Sequence, residues 1–223
     1  MKEITVKSLY STENTIAKEF LDSGEYPWEL LPEISAYIMR LGPTLPKDRF
    51  KEVKEHVWIA NTAVVAQTAS ITGPCIIDEY AEIRHCAFIR GNAIVGKRAV
   101  VGNSTELKNV ILFDCVQVPH YNYVGDSILG YYAHMGAGSI TSNVKSDKKP
   151  VTVKADGEQI ETGLKKFGAM LGDHVEIGCG SVLNPGTIVG AYSNVYPLSS
   201  VRGVVKSHSI YKKAGEIAEK KED

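Results

Sequence analysis

Two basic side chains in the middle of the sequence have the types and spacing to hold a phosphate. Arg90 and Lys108 each directly follow a bulky apolar residue, and their separation is three times six positions. If that separation makes one full turn of a repeating backbone, the two cations lie side by side and repel each other. A bridging phosphate turns that repulsion into attraction, with arginine as the fork and lysine as the point charge. The alternative is two solvated side chains that splay apart beside Glu106.

His120 is the candidate proton acceptor. An imidazole titrates near neutrality and can serve as a general base, although a lone surface histidine is more often inert. Tyr123 follows three residues later, and beyond it comes Gly136-Ala137-Gly138, where backbone N–H groups can approach a ligand closely. Glycine also serves at the corners of a repeating backbone, so the triplet has a structural explanation as well.

A period of six residues indicates the elements that position these side chains. A bulky aliphatic or aromatic residue returns at every sixth position, and the series lapses at Pro119. The series is Ile59, Val65, Ile71, Ile77, Ile83, Ile89, Val95, Val101, Leu107, Phe113, then Leu129 and Met135, then Leu171, Ile177, Leu183, Val189, Val195 and Val201. Neither an amphipathic helix nor an alternating strand has this period. A hexapeptide β-helix does, because three hexads, each a short strand and a corner, make one triangular coil.

The sequence therefore predicts an all-β protein with a parallel β-helix over residues 51–205. Residues 1–50 lack the period and carry apolar helical stripes, so we expect an N-terminal helical cap over the first coil. An insertion at 141–169 interrupts the repeat, and its centre predicts a β-hairpin turning on Asp156-Gly157. The charged tail, residues 206–223, predicts a short surface helix.

Bulk properties exclude several classes of protein. The net charge of −1 points to neither a nucleic acid nor an anionic membrane as partner. No run of about 18 apolar residues predicts a membrane span, and the start lacks the apolar core of a signal peptide. The four cysteines form no CxxC pair, and Cys75 and Cys179 fall within the repeat, so we expect small buried thiols in a cytoplasmic protein.

The segment from His120 to Asp126, followed by Gly136–Thr141 and Asn143, resembles a known family. It is similar to the acetyltransferase half of bifunctional N-acetylglucosamine-1-phosphate uridyltransferase/glucosamine-1-phosphate acetyltransferase, an enzyme of nucleotide-sugar and cell-wall biosynthesis. The likeness covers roughly residues 57–202, and the hairpin followed by Lys165–Ala169 looks most like the archaeal two-domain enzyme. The resemblance implies a left-handed prism, an exception to the usual right-handed crossover. It also implies a homotrimer with active sites between subunits, and acetyl-CoA as co-substrate.

The resemblance also implies roles for individual residues. Sugar-phosphate binding falls to Arg90, Lys108, Tyr123 and Lys166, with Asn143 near the amino sugar, His120 as general base, and Ala137 and Cys179 along acetyl-CoA. His120 would take the proton of the attacking amine, while a backbone N–H near Ala137 stabilises the oxyanion. His134 stands where the family usually has an asparagine lining the sugar site, which leaves the acceptor open. No metal is expected.

Three functions compete. The first is acetyl transfer to glucosamine or galactosamine 1-phosphate, without nucleotidyl transfer, because the Gly-Gly-x-Gly-Thr-Arg loop is missing. A separate nucleotidyltransferase would then be a partner. The second is a non-catalytic trimerisation or regulatory module related to UDP-N-acetylglucosamine pyrophosphorylase, which has no need for His120, Arg90 and Lys108 together.

The third is a zinc hydratase of the γ-carbonic-anhydrase kind. His85 and His120 have a suitable separation, but the expected third ligand is Gly125, and His134 is a poor substitute. The joint presence of the base and the two cations favours the acetyltransferase.

Overall fold

The computed structural model describes residues 2–155 and 157–220. Short parallel strands wind repeatedly around three faces, and each strand pairs with the strand one coil away. Ile59 is opposite Ile77, and Ile77 is opposite Val95, so each coil takes up three of the six-residue periods. The predicted left-handed parallel β-helix is therefore confirmed.

The three faces are named here by their strands. Face A contains Val57–Ala60, Cys75–Ile77, Ala93–Val95, Ala169–Leu171, Thr187–Val189 and Val204–Val205. Face B contains Val64–Val65, Glu82–Ile83, Val100–Asn103, Gln117–His120, His134–Met135, Glu176–Ile177, Asn194–Val195 and Ser209–Lys213. Face C contains Ser70–Ile71, Phe88–Ile89, Ile140–Thr141, Val182–Leu183 and Ser200–Val201. Glu106–Leu112 and Tyr123–Leu129 run from face C around the corner onto face A.

The lapse of the six-residue period is a shortening of the coil by one residue. The step from Val95 to its partner Leu112 is one residue shorter than the step from Ile89 to its partner Leu107. Asn109, between these pairs, has φ +55°. Phe113, which the period places in the interior, instead occupies a corner, where its ring centroid is 5.1 Å from that of Tyr10.

The N-terminal segment lies lengthwise along face A. It contains the α-helices Val6–Leu9, Lys18–Asp22 and Ile34–Leu41 and the 3₁₀ turns Lys2–Ile4, Thr12–Asn14, Pro27–Glu33 and Gly42–Thr44. The Tyr10 hydroxyl donates to the Ile128 carbonyl (3.2 Å), and Asp173 N–H donates to the Leu9 carbonyl (3.0 Å). The prediction that these helices cover the first coil is therefore wrong. The strand Phe50–Lys54 pairs antiparallel with the first strand of the β-helix and covers that edge.

A second apolar column explains this position. On face A the residue before each interior residue points outward, because side chains alternate along a strand. Val204 in the last coil is only half-buried, whereas six of these outward residues are apolar and fully buried: Ile76, Ile94, Ile111, Ile128, Met170 and Ile188. The helix Ile34–Leu41 contacts the strands that carry Ile94 and Ile111, so this column packs against the N-terminal segment.

Ile111→Ala is expected to lower the free energy of unfolding by about 2–5 kcal/mol, because it leaves a cavity between face A and the N-terminal segment. Urea denaturation followed by circular dichroism measures this. Val64→Ala is the matched control, since Val64 is 65% exposed on face B and its truncation should change stability by less than about 0.5 kcal/mol. Equal effects of the two substitutions would contradict the buried contact.

The insertion and the tail both form antiparallel hairpins. Thr152–Ala155 pairs with Glu158–Glu161, which confirms the predicted hairpin, although Asp156 of its turn lies outside the described residues. The predicted C-terminal helix is wrong, because Ser209–Lys213 pairs with Glu216–Glu219. Tyr211 is buried and continues the ladder from Val195, so the last coil extends the sheet rather than ending in a helix.

Asp78 is a carboxylate buried at the corner between faces A and B. It is 0% exposed, and its Oδ1 accepts the Glu79 N–H at 2.7 Å. Within the described residues its Oδ2 has no hydrogen-bond partner. Burial raises the pKa of Asp78 to about 6, helped by Asp114 and Glu79, while the Glu79 N–H and Lys97 act in the opposite direction.

Because the folded pKa lies above the ordinary value of 3.8, the folded state binds this proton more tightly than the unfolded state. The contribution of Asp78 to stability should therefore decrease as the pH rises from about 4 to about 6 and stay low above that. Asp78→Asn should remove this slope from urea unfolding measured across the same range. Identical pH profiles for the wild type and the variant would contradict the assignment.

Candidate active site

His120, Ala137 and Cys179 lie in one column at the corner between faces B and C. The Gly138 N–H donates to the His120 carbonyl (3.0 Å), and the Gly180 N–H donates to the Ala137 carbonyl (2.9 Å). These bonds place the three residues in successive coils, about 4.8 Å apart along the axis. His120 and Cys179 are exposed, so the expectation of a buried Cys179 thiol is wrong, whereas Cys75 is buried.

Asn122 holds this corner together. Its Oδ1 accepts the His120 N–H at 3.1 Å, and its Nδ2 donates to the carbonyls of Gly136 (2.8 Å) and Ser139 (3.0 Å). Asn122 is 2% exposed, so it acts as an internal brace. Asn122 was not among the predicted site residues, although its place inside the most characteristic segment was an available signal.

A polar cluster forms at the other edge of face C, around the carboxylate of Asp126. Lys108 Nζ lies 3.3 Å from both carboxylate oxygens, Asn109 Nδ2 donates to Oδ1 at 3.0 Å, and Asn143 Nδ2 donates to Oδ2. Asp126 is 4% exposed, so these partners compensate a buried charge. Asp126 and Asn109 were also missed, because spacing alone does not show which corner side chains turn toward each other.

Arg90 lies beside Lys108, one coil earlier, as the spacing predicts. The Arg90 N–H donates to the Leu107 carbonyl at 2.9 Å, and the Arg90 side chain donates to Glu106 at 2.6 Å. Each cation therefore has its own carboxylate, which compensates the repulsion between them, and Arg90 lies beside Glu106 as the alternative of solvated side chains expects. Arg90 remains exposed, with guanidinium donors left over for a ligand.

Tyr123 lies on face C, between the corner that carries His120 and the corner that carries Asp126. It begins its strand three residues after His120, and its hydroxyl accepts a hydrogen bond from Asn143 Nδ2 at 3.2 Å. A side chain at Gly125 would collide with that hydroxyl, so glycine leaves the path of the ring open. Burial, followed by Asp126 and Glu106, raises the pKa of Tyr123. The phenol therefore stays protonated and can donate to a ligand.

Lys166 is exposed next to the same cluster, where the insertion returns to the β-helix. The Phe167 N–H donates to the Asn143 carbonyl (2.9 Å), and the Gly168 N–H donates to the Asp126 carbonyl (2.8 Å). The N-terminal segment supports this arrangement, because the Phe167 ring lies 5.9 Å from the Trp28 ring. The end of the insertion is thus held at the cluster by backbone hydrogen bonds on the β-helix side and by a ring contact with the N-terminal segment on the other side.

The structure does not bring His134 to this cluster within one chain. It lies on face B, where its Nδ1 is 2.7 Å from Glu176 Oε2. An open groove of about 540 Å³ passes this pair and is also lined by Gly136, Cys179 and Pro197. His134 is therefore close to the part of the corner predicted for acetyl-CoA, and on a different face from Asn143.

In residues 2–155 and 157–220, no three histidine, cysteine, aspartate or glutamate side chains gather so as to hold a metal ion. His85 and His120 share the corner column but lie two coils apart, and His85 Nδ1 is 2.9 Å from Thr68 Oγ1. No helix of the described chain has the length and apolar character needed to cross a membrane.

Comparison with models of known protein families identifies the family of this chain. Residues 71–205, more than half of the chain, match the model of the GMPPB C-terminal domain. The chain belongs to the GMPPB C-terminal domain family. Membership of this family agrees with the hexapeptide β-helix and with the resemblance on which the residue roles were based.

Curated relatives of this chain include archaeal bifunctional enzymes. It is 33% identical over 159 residues to the bifunctional sugar-1-phosphate nucleotidylyltransferase/acetyltransferase of Sulfurisphaera tokodaii, covering 63% of this chain and 40% of the relative. It is 33% identical over 202 residues to the bifunctional protein GlmU of Methanococcus vannielii, covering 87% of this chain and 48% of the relative. The chain thus spans less than half the length of these two relatives.

Solved structures similar to this member of the GMPPB C-terminal domain family include two acetyltransferases. The polySia specific acetyltransferase NeuO has a TM-score of 0.48 at 12% identity, covering 75% of this chain and 88% of that one. The perosamine N-acetyltransferase from Caulobacter crescentus has a TM-score of 0.31 at 15% identity, covering 69% and 51%. At these values the likeness carries no information about the site.

Proposed function

We propose that this chain is an acetyl-CoA-dependent N-acetyltransferase whose acceptor is a hexosamine 1-phosphate, either glucosamine or galactosamine 1-phosphate. One observation carries the proposal: Tyr123, three residues after the exposed His120, accepts a hydrogen bond from Asn143, and Asn143 and Lys108 share the carboxylate of Asp126. The names of the two archaeal relatives, which combine sugar-1-phosphate chemistry with acetyl transfer, support the substrate class.

In the proposed mechanism, His120 removes a proton from the amino group of the acceptor. The amine attacks the carbonyl carbon of the acetyl thioester as a neutral nucleophile and gives up this proton to His120 as the C–N bond forms. The C–S bond breaks, and the departing CoA thiolate receives the same proton from the imidazolium. Among the described residues, the N–H of Ala137 has no acceptor, so it is available for the oxyanion. Holding both substrates along one corner lowers the barrier further, because the reacting groups are already close together and aligned.

The phosphate of the acceptor would bind Arg90, Lys108 and Lys166, and the Tyr123 hydroxyl would donate to it. Asn143 would contact the sugar. Since His134 lies on another face in the same chain, a contact between His134 and that sugar requires a second subunit. We therefore propose a homotrimer whose sites are completed between subunits, and the groove that passes Cys179 and His134 as the path of acetyl-CoA.

The test is release of free thiol from acetyl-CoA by the purified protein. The acceptors are glucosamine 1-phosphate, galactosamine 1-phosphate and glucosamine without phosphate. Turnover with a phosphorylated acceptor, and much slower turnover without phosphate, is the expected result. Absence of thiol release with every amino-sugar phosphate would favour the non-catalytic regulatory module. A separate nucleotidyltransferase partner stays a prediction.

Arg90→Ala is expected to raise the KM for the phosphorylated acceptor by roughly tenfold with little change in kcat, because it removes one contact to the bound phosphate. Arg98→Ala is the matched control, since Arg98 lies at the corner between faces A and B, over the ring of Tyr80. Steady-state kinetics of thiol release measures both variants. An equal loss with the acceptor that lacks phosphate would rule out the contact.

A further inference from the structure

A second groove lies between the inserted hairpin and the corner from face C to face A. Its volume is about 550 Å³, within the range of small-molecule sites. The hairpin contributes one wall, and two successive corners of the β-helix contribute the other. The lining residues are Lys145, Val151, Thr152, Lys154, Pro185, Gly186, Arg202, Gly203 and Val204.

Three cations line this groove, and none of the described residues that line it is acidic. Lys145 Nζ lies 3.3 Å from Asp147 Oδ2, so it is already partly compensated. Lys154 and Arg202 are exposed, and neither has a carboxylate within 4.0 Å in the described part of the chain. Two uncompensated cations and a third nearby make the groove a positive site on a protein whose net charge is −1.

The walls are packed, so the cations are held on a fixed frame. Val151 is 1% exposed. A Cβ atom added at Gly186 would lie only 2.6 Å from Cγ1 of Val151, so the two walls are in close contact there. The Gly186 N–H also donates to the Gly168 carbonyl at 3.0 Å, which ties this corner to the base of the insertion. Pro185 and Val204 add apolar surface beside the cations.

We propose that this groove binds the pyrophosphate of a nucleoside diphosphate, with the nucleoside against the apolar surface. The adjacent phosphates carry the negative charge that the three cations attract, and the guanidinium of Arg202 can hold two phosphate oxygens at once. A single inorganic phosphate would leave the apolar wall unused. The ligand can be a free nucleotide or the nucleotide end of coenzyme A, because both present the same chemistry. The inference does not depend on acetyl transfer.

Isothermal titration of the full chain with UDP, inorganic pyrophosphate and coenzyme A tests the proposal. UDP should bind more tightly than pyrophosphate, and Arg202→Gln and Lys154→Gln should each weaken UDP binding by about tenfold. Lys51→Gln is the matched control, because Lys51 is an exposed lysine on the edge strand Phe50–Lys54. Circular dichroism of every variant verifies that the fold is kept.

Competition then separates the two sources. If saturating coenzyme A displaces UDP, and Arg202→Gln weakens both, the groove holds the nucleotide end of the coenzyme. If UDP still binds with coenzyme A present, the groove takes a free nucleotide. Failure of both ligands to bind, or binding unchanged in both groove variants, overturns the proposal. Equal affinity for UDP and pyrophosphate overturns the role of the nucleoside.

Discussion

His120→Ala is expected to lower kcat for acetyl transfer by about 10²–10⁴-fold, the contribution usually made by a positioned general base. The side chain is exposed, and the bonds that hold this turn go to the backbone of His120 and to Asn122. The substitution should therefore leave the fold intact. Thiol release at saturating acetyl-CoA and acceptor measures the loss, and urea denaturation measures the stability.

His85→Ala is the matched control for this experiment. His85 occupies the same corner column two coils earlier, and its side chain bonds to Thr68. Its removal should change kcat by less than about twofold if position in the column alone has no catalytic effect. Unaltered turnover of the His120 variant, or equal losses in both variants, would remove His120 from the mechanism.

Lys108→Ala should have the second largest effect, because Lys108 serves both the ligand and the fold. It is the cation nearest to Asp126, which is 4% exposed. Its loss is expected to lower kcat/KM for the phosphorylated acceptor by about 100-fold, as expected for a charge-assisted hydrogen bond. It should also lower stability by about 1–3 kcal/mol, since Asn109 and Asn143 only partly compensate the remaining carboxylate.

A double variant separates these two roles. Adding Asp126→Asn to Lys108→Ala removes the uncompensated charge, so most of the lost stability should return while kcat/KM stays low. Urea denaturation and thiol-release kinetics on the same preparations give both quantities. Recovery of kcat/KM together with stability would show that Lys108 acts only through folding, which would contradict its contact with phosphate.

The six-residue period predicted the β-helix because it records the residues that fill the interior. The same period could not locate the N-terminal segment, which binds the outward column that contains Ile94 and Ile111. The sequence does show this column, because a second apolar residue precedes each interior residue of face A. Phe113 continued the numerical series yet belongs to a corner, because the coil shortens near Asn109.

The candidate site was predictable where coil geometry decides position. A separation of one full coil places Arg90 beside Lys108, as the pairing of Ile89 with Leu107 shows. Spacing could not show that Asp126 turns inward to Lys108, because that depends on the conformation of one corner residue with φ +48°. Nor could it show that the residue at position 134 faces a glutamate on face B. The roles of these residues in substrate binding stay predictions.

The position of the N-terminal segment has a consequence for how the molecule comes apart. Coils that contact only their neighbours can melt one at a time from either end. Here a single continuous segment bonds to Asp114, Ile128 and Asp173, which belong to different coils. Unfolding of one coil therefore removes contacts that hold the N-terminal segment against the other coils. The segment thus couples the coils to which it bonds, so that they unfold as one cooperative unit.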